Sequence, residues 1–263
     1  MADLDLPKAM DTARRAAEAA SAAALVHFRR GVRVEVKPDR TPVTQADRDA
    51  EAAIAAVVRE AFPAHGFLGE ETGARSGAAG TRWIVDPIDG TRGFTRGGAC
   101  WGPLVALEHQ GEVVAGAMAL PAAGEVYWAA RGLGAWLSAA GGPPQRLAVS
   151  GVAAWADATF LIGEPRLLFA PPLLASVARL ATTCASTRCP GDLAGCAMVL
   201  KGQADAWIEA GVQIWDIAPF PVLVAEAGGR FTDLAGAPGH ASGGCVVSNG
   251  RLHGPVLDAL RAG

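Results

Sequence analysis

Few folds accommodate the stretch from Arg82 to Trp136, because its short apolar runs are separated by turns too brief for a crossover. "PLVALEH" passes through Gln110-Gly111 into "EVVAGAMAL", "PAAG" leads on to "EVYWAA", and "RGLG" ends the series. Parallel neighbours need a connection of roughly a dozen residues or more, so an antiparallel meander is expected. The run before it, "RWIVD", ends inside "DPIDGT" at 86–91. Two acids three apart, with a proline between them, therefore lie where a strand stops.

Upstream, two helices are expected. Asp5 is read as the cap of the first, with Pro7 in its first turn and Gly31 at its end. "VRVEVK" alternates like a short strand, and "PDRTPVTQAD" reads as a polar loop. Thr44 is expected to cap a second helix, "ADRDAEAAIAAVVREAF", which stops before Pro63. "GFLGEETGARSG" then runs from apolar into acidic, glycine-containing chain.

Glycine and proline cluster in "SAAGGPPQRLAVSG", which marks a boundary between a part spanning 1–145 and a part spanning 146–263. Beyond it, strands and helices alternate. "TFLIG", "TTCAS", "ADAWIEA", "RFTDL" and "CVVSN" read as strands. "PPLLASVARLA", "GDLAGCAMVLKG", "DIAPFPVLVAEAGG" and "RLHGPVLDALRA" read as helices, so the second part is expected to be α/β.

Charge narrows the partners. The 263 residues carry 23 basic and 26 acidic side chains, a formal net charge of −3. Neither a nucleic-acid footprint nor a polybasic membrane patch is present, and small molecules are the expected partners. No run approaches the length of a spanning helix. The opening "MADLDLPKAM" does not read as a signal peptide, so a cytoplasmic setting is expected. Five cysteines without C-x-x-C spacing are read as buried free thiols. The five histidines form no H-x-x-x-H pair and are read as packing or surface residues, and "RGLGAW" lacks the third glycine of a dinucleotide loop.

Pro87 stiffens the turn that carries Asp86 and Asp89 and can aim both carboxylates to one side. Such a pair calls for a cation between them, and hard ions such as Mg²⁺ take oxygen ligands, backbone carbonyls like that of Ile88 included. Glu70 and Glu71 precede the motif, and Asp216 in "IWDIAP" stands where another apolar run meets a helix start. Each acid also has a plainer reading. Asp86 and Asp89 are turn formers, Glu70 and Glu71 a solvated pair, Asp216 a helix cap, and Asp47 the partner of Thr44 in a capping box. Gly90 and Thr91, directly after the acids, add backbone N–H groups suited to an anion. Cations beside an anion nest are what a phosphate monoester requires.

Taken together, "GEE" at 69–71, "DPIDGT" at 86–91, "WDIAP" at 215–219 and "EAGG" at 226–229 resemble, in order, the signatures of the inositol monophosphatase superfamily. The resemblance covers nearly the whole chain. It implies a layered αβαβα sandwich, with helices on an antiparallel sheet in the N-terminal part and an α/β C-terminal part that completes the site. It also implies that Glu70, Asp86, the Ile88 carbonyl, Asp89 and Asp216 hold two or three Mg²⁺ ions. Thr91 and Glu70 would orient the attacking water, Asp47 would support Thr91, and the amides of Gly90 and Thr91 would hold phosphate. A homodimer is the family's expectation.

Within the superfamily, Arg92 after "DPIDGT" resembles the histidinol-phosphatase and bisphosphate nucleotidase branches, and the "RCPGD" that places Arg188 and Asp192 resembles the histidinol-phosphatase branch. Histidinol phosphate carries an amine and an imidazole, which a carboxylate such as Asp192 would favour over an uncharged polyol, and Glu209 could add to that preference. Asp192 as a helix cap and Arg188 as a solvated loop residue are the plain readings. Leu193-Ala194 depart from the aromatic common in that branch, and Pro219 and Pro221 from an alanine-rich helix start. Inositol-1-phosphate or another sugar phosphate is the second expectation and a 3′-phosphorylated nucleotide the third. A silent phosphometabolite sensor is the alternative outside catalysis.

Overall fold

The computed structural model describes residues 4–31, 33–36, 42–77, 80–241 and 243–262. Helix α1 (Leu6–His27) opens with the Lys8 N–H donating to the Asp5 carboxylate at 2.9 Å, as a capping aspartate should. It stops at Phe28, short of Gly31. Strands β1 (Glu35–Val36) and β2 (Pro42–Val43) pair antiparallel, so Pro42 lies in a short strand where a loop is expected, a position that needs no central ladder N–H. Val32 and Lys37 of "VRVEVK", and residues 38–41 of the loop, lie outside the described residues. Helix α2 (Gln45–Ala61) begins at Thr44.

The larger sheet is built from β3 (Gly66–Gly69), β4 (Gly73–Arg75), β5 (Thr81–Asp89), β6 (Gly102–His109), β7 (Glu112–Leu120), β8 (Glu125–Ala130), β9 (Gly134–Ala139) and β10 (Gln145–Arg146). Its order among the described residues is β10-β9-β8-β7-β6-β5-β3-β4. The expected meander is β6 to β9, and Gln110 and Gly111, at φ 54° and 82°, make the turn between β6 and β7. One pair, β3 with β5, is parallel, because β4 runs back antiparallel on the other side of β3 before the chain enters β5. Short helix α3 (Thr91–Thr95) follows β5.

The second sheet comprises β11 (Thr159–Ile162), β12 (Ser186–Arg188), β13 (Ala206–Ala210), β14 (Arg230–Thr232) and β15 (Gly244–Ser248). Helices α4 (Pro165–Leu168), α5 (Leu174–Thr183), α6 (Ala194–Leu200), α7 (Ile214–Ile217), α8 (Phe220–Glu226) and α9 (His253–Arg261) connect these strands or follow them. Its order, β12-β11-β13-β15-β14, is parallel through β13 and antiparallel beyond. "TTCAS" is corrected: Thr182 and Thr183 remain in α5, their hydroxyls donating to the carbonyls of Ala178 and Arg179, and the strand starts at Ser186.

Three apolar interfaces stack these elements into layers. α1 presents Ala9, Ala13, Ala16, Ala17, Ala20 and Ala24, and with Ile54 and Val58 of α2 it covers Trp83, Val105 and Leu107 on one face of the larger sheet. The opposite face, through Leu104, Met118 and Tyr127, meets α6 and α8. Those helices also pack Leu161, Trp207 and Val247 of the second sheet, whose outer residues Phe160, Ile208 and Val246 lie under α5 and α9. The order αβαβα follows. Strand parity then matters for function: alternate residues of β13 point Trp207 and Glu209 inward and Ala206, Ile208 and Ala210 outward.

Cysteine and glycine motifs are resolved by the same packing. All five thiols are free, but only Cys196 and Cys245 are buried; Cys100 and Cys184 are half-buried and Cys189 is exposed, which corrects the expectation of five buried thiols. In "RGLG" the N–H groups of Gly132 and Gly134 both donate to the Glu226 carboxylate at 2.7 Å. That nest is filled by the protein's own anion.

His253 is fully buried between two hydroxyls, in keeping with a packing role. The Thr232 hydroxyl donates to the Asp233 carbonyl, so Nε2 of His253 donates to Thr232 at 2.9 Å, and the Ser248 hydroxyl donates to Nδ1 at 2.9 Å. A second ring proton would face the Ser248 proton. Burial, and then the charge of Arg230, push the imidazole down to about 4 from 6.5. The unfolded chain takes up that proton first, so stability is complete above pH 6.5 and falls as pH drops toward 4. Between pH 7 and pH 4 the native protein is expected to lose on the order of 3 kcal/mol more than a His253→Gln variant in urea unfolding. Equal losses would mean that the imidazole is not held neutral.

Candidate active site

β5 loses its regular register between Asp86 and Asp89, where Pro87 interrupts the ladder to β6. The Ile88 N–H turns back to Oδ1 of Asp86 at 2.8 Å, which locks that side chain over the bend. Gly90 continues in the left-handed region at φ 81°, a conformation that suits glycine, and α3 starts at once. Asp86 and Asp89 thereby line one cleft of about 520 Å³ together with Gly90, Thr91 and Arg92.

Asp216 arrives from the other part of the chain. It is not the cap of a helix but the third residue of α7, whose cap is Gln213; the Gln213 N–H donates to Asp216 Oδ2 at 2.7 Å in a capping box. The helix expected over 216–229 is two: α7 ends at Ile217, Pro219 caps α8, and Pro221 lies in the first turn of α8, where a missing N–H costs nothing. Carboxylate oxygens of Asp86, Asp89 and Asp216 lie within 4.8 Å of one another. Glu70, half-buried after β3, lines the same cleft, and its side chain hydrogen-bonds Asp86. Burial, followed by the charges of Glu70, Asp216 and Asp89, drives the Asp86 carboxyl well above its ordinary range. Asp89 rises likewise through burial, then Asp192 and Asp216, while the N–H of Leu193, donating to Asp89 Oδ2 at 2.7 Å, opposes the rise.

Asp47 contacts both Thr44 and Thr91. Its Oδ2 accepts the Thr44 N–H and hydroxyl, each at 2.7 Å, completing the capping box of α2. Its Oδ1 lies 3.3 Å from the Thr91 hydroxyl, which also donates to the Ile88 carbonyl at 2.9 Å. With its proton committed to those acceptors, Thr91 Oγ1 keeps lone pairs for a donor in the cleft. Burial raises the Asp47 carboxyl, and the Thr44 and Thr91 hydrogen bonds work against it.

The residues expected to contact substrate divide. Asp192, at φ 45°, is not the cap of α6; Leu193 is, without a side-chain bond, and the Asp192 carboxylate reaches into the cleft beside Gly90. Loss of water on its inner side, then the charges of Asp216 and Glu164, push it up to about 6. Glu209 is buried and pushed up to about 7 by that burial, against the N–H groups of Glu164 and Ala210 that donate to its Oε1 at 2.7 and 3.0 Å. Arg92 lines the cleft. Arg188 does not: it ends edge strand β12, exposed, and donates to the Thr187 carbonyl at 2.7 Å. Glu164 and Arg166 line the cleft without any motif to announce them. Glu51, also outside every motif, is buried on α2, and its spacing of four from Asp47 is the signal that could mark it.

The donor set suits hard cations. Seven carboxylates (Glu70, Asp86, Asp89, Glu164, Asp192, Glu209 and Asp216) face two guanidiniums, of Arg92 and Arg166, among the described lining residues. All donors in the three-acid cluster are oxygens, the preference of Mg²⁺.

The sequence profile of the inositol monophosphatase family matches residues 5–262. A histidinol-phosphatase of Mycobacterium tuberculosis is 40% identical over 232 residues, covering 88% of this chain and 89% of that protein. An inositol-1-monophosphatase of Mesorhizobium japonicum is 36% identical over 225 residues, covering 84% and 83%. The solved structure of extragenic suppressor protein suhB from Bartonella henselae superposes with a TM-score of 0.88 at 30% identity, over 97% of this chain and 98% of that one. Fold, acid cluster and sequence agree, and the chain belongs to the inositol monophosphatase family of metal-dependent phosphoric monoester hydrolases.

Proposed function

We propose that this phosphatase is Mg²⁺-dependent and that its substrate is L-histidinol phosphate. The observation that carries the metal is the excess of carboxylates in one cleft: a phosphate dianion cannot enter it unless cations offset Asp86, Asp89, Asp216 and Glu70. Those four side chains, with the Ile88 carbonyl, would hold the ions. Bound there, Mg²⁺ supplies polarisation of the phosphoryl oxygens, a more acidic water and stabilisation of the leaving alkoxide.

The chain's own residues do the orienting. Thr91, held by Asp47 and the Ile88 carbonyl, offers its oxygen to a water proton, and Glu70 offers a second acceptor. The amides of Gly90 and Thr91, at the start of α3, are read as donors to the phosphate. The rest of the cleft is read as the site of the leaving group. Beyond burial, the charge of Glu164 helps raise the Asp192 carboxyl, and the charges of Asp192 and Glu164 help raise that of Glu209, an environment that favours a cationic amine or imidazolium over neutral hydroxyls. The kinship to a histidinol-phosphatase supports the same substrate, and the kinship to an inositol-1-monophosphatase keeps that polyol phosphate as the competitor to test.

Asp216→Asn removes one charge from the cluster. Activity is expected to fall at least about 100-fold, while the metal-free variant unfolds at higher urea than the metal-free native protein, by about 1 kcal/mol. Phosphate release and urea titrations, each with chelator and with Mg²⁺, read both effects; an active variant with unchanged Mg²⁺ stabilisation would remove Asp216 from the ion site.

Asp192→Asn separates substrate choice from catalysis. The ratio of kcat/KM for histidinol phosphate over inositol-1-phosphate is expected to drop roughly tenfold, with the Mg²⁺ requirement kept. Faster turnover of inositol-1-phosphate by the native enzyme would overturn the substrate assignment.

A further inference from the structure

Helix α2 carries two buried carboxylates one turn apart, Asp47 and Glu51, each 1% exposed. Residues four apart share a helix face, and these two reach different loops. Asp47 reaches Thr91. Glu51 reaches the loop after β3: its Oε2 accepts the Glu71 N–H and its Oε1 the Thr72 N–H, both at 2.8 Å. The approach is so close that a Cβ on Gly69 would lie 2.5 Å from the Glu51 carboxyl carbon, so only glycine fits there.

Glu70 stands between Gly69 and Glu71, and its own N–H donates to the Val85 carbonyl at 3.2 Å. The backbone is therefore tied to β5 at Glu70 and to α2 immediately after it. Glu71 is half-buried and Thr72 exposed, yet both N–H groups turn inward to the buried Glu51 carboxylate, and without that acceptor the loop loses its tie to α2 and is free to turn them to water.

We infer that Glu51 is a positioning residue that sets Glu70 against Asp86, making α2 the common support of the two groups that orient water. The inference rests on the role proposed for Glu70. Both carboxylate oxygens of Glu51 are taken up by backbone N–H groups, and its effect passes through residues 70–72. In Glu51→Gln the neutral amide keeps the shape and one acceptor oxygen but turns an N–H₂ toward a backbone N–H, which releases one of the two ties.

The test compares Glu51→Gln, Gly69→Ala and Glu70→Gln with the native protein. Binding of Mn²⁺ alone, measured by calorimetry without substrate, is expected to weaken roughly tenfold in Glu51→Gln, and kcat to fall by at least as much. KM for histidinol phosphate should stay within about twofold, because the leaving-group end of the cleft is untouched. Amide hydrogen exchange should accelerate at Glu71 and Thr72 and remain native across the two sheets. Gly69→Ala, which pushes on the carboxylate from the opposite side, should weaken Mn²⁺ binding in the same direction. A folded Glu51→Gln protein with native Mn²⁺ affinity and kcat would overturn the inference, and so would one that does not fold, since Glu51 would then support the whole domain and not this loop. The control separates the two readings: if Glu70→Gln itself keeps native Mn²⁺ binding and turnover, the role of Glu70 fails; if it loses them while Glu51→Gln does not, only the role of Glu51 fails.

Discussion

Like charge confined to one cleft is the constraint around which this molecule is arranged. Oxygens of Asp86, Asp89 and Asp216 within 4.8 Å of one another repel strongly where water is scarce, and Glu70 adds to them. The fold answers in the same way three times. One oxygen of each cluster acid accepts a backbone N–H, from Ile88 to Asp86, from Leu193 to Asp89 and from Gln213 to Asp216. Each carboxylate is thus anchored through one oxygen where the three meet in the cleft. The remaining repulsion is what a divalent ion would relieve.

Those three N–H groups come from different places in the chain, and that ties the site to the layering. Ile88 belongs to the larger sheet, whereas Leu193 and Gln213 precede helices that join strands of the second. The bond from Leu193 to Asp89 spans 104 residues of sequence and places Asp192, the neighbour of the donor, beside Gly90. The acid cluster and the Asp192 side of the cleft therefore share one short piece of backbone. The apolar packing of α6 and α8 against both sheets keeps that piece in place.

Helix capping recurs as an aiming device. In α2 and α7 an acid at the third position closes a capping box and so has its rotamer set by the first turn of its own helix. Asp47 then has one oxygen left for Thr91, and Asp216 one for the cluster. A local interaction worth about 1 kcal/mol to a helix here determines where a functional carboxylate points. Glu226 serves differently: its two bonds to the "RGLG" turn join α8 to the β8–β9 hairpin and fill a glycine nest that would otherwise invite an anion.

Local chemistry made the meander, the caps at Asp5 and Thr44 and the list of acids legible in the sequence, because turns, caps and alternation act over a few residues; the layered fold was legible only through the family resemblance. Glu51 carried only a spacing of four from Asp47, and no motif contains it. What the chain alone could not decide was any relation set by elements far apart. Asp192 has two readings in the sequence, a carboxylate for the leaving group and a helix cap; Asp89 takes the N–H of Leu193 and leaves Asp192 at the cleft. Arg188 stands beside Asp192 in "RCPGD", yet it ends an edge strand and is exposed outside the cleft. Pro219 and Pro221 read as intruders in one helix, yet two helices form and the prolines fall at the junction. Sequence determined which acids were available. Only the tertiary structure decided which of them meet, because carboxylates repel and come together only where buried apolar layers and backbone N–H donors hold them.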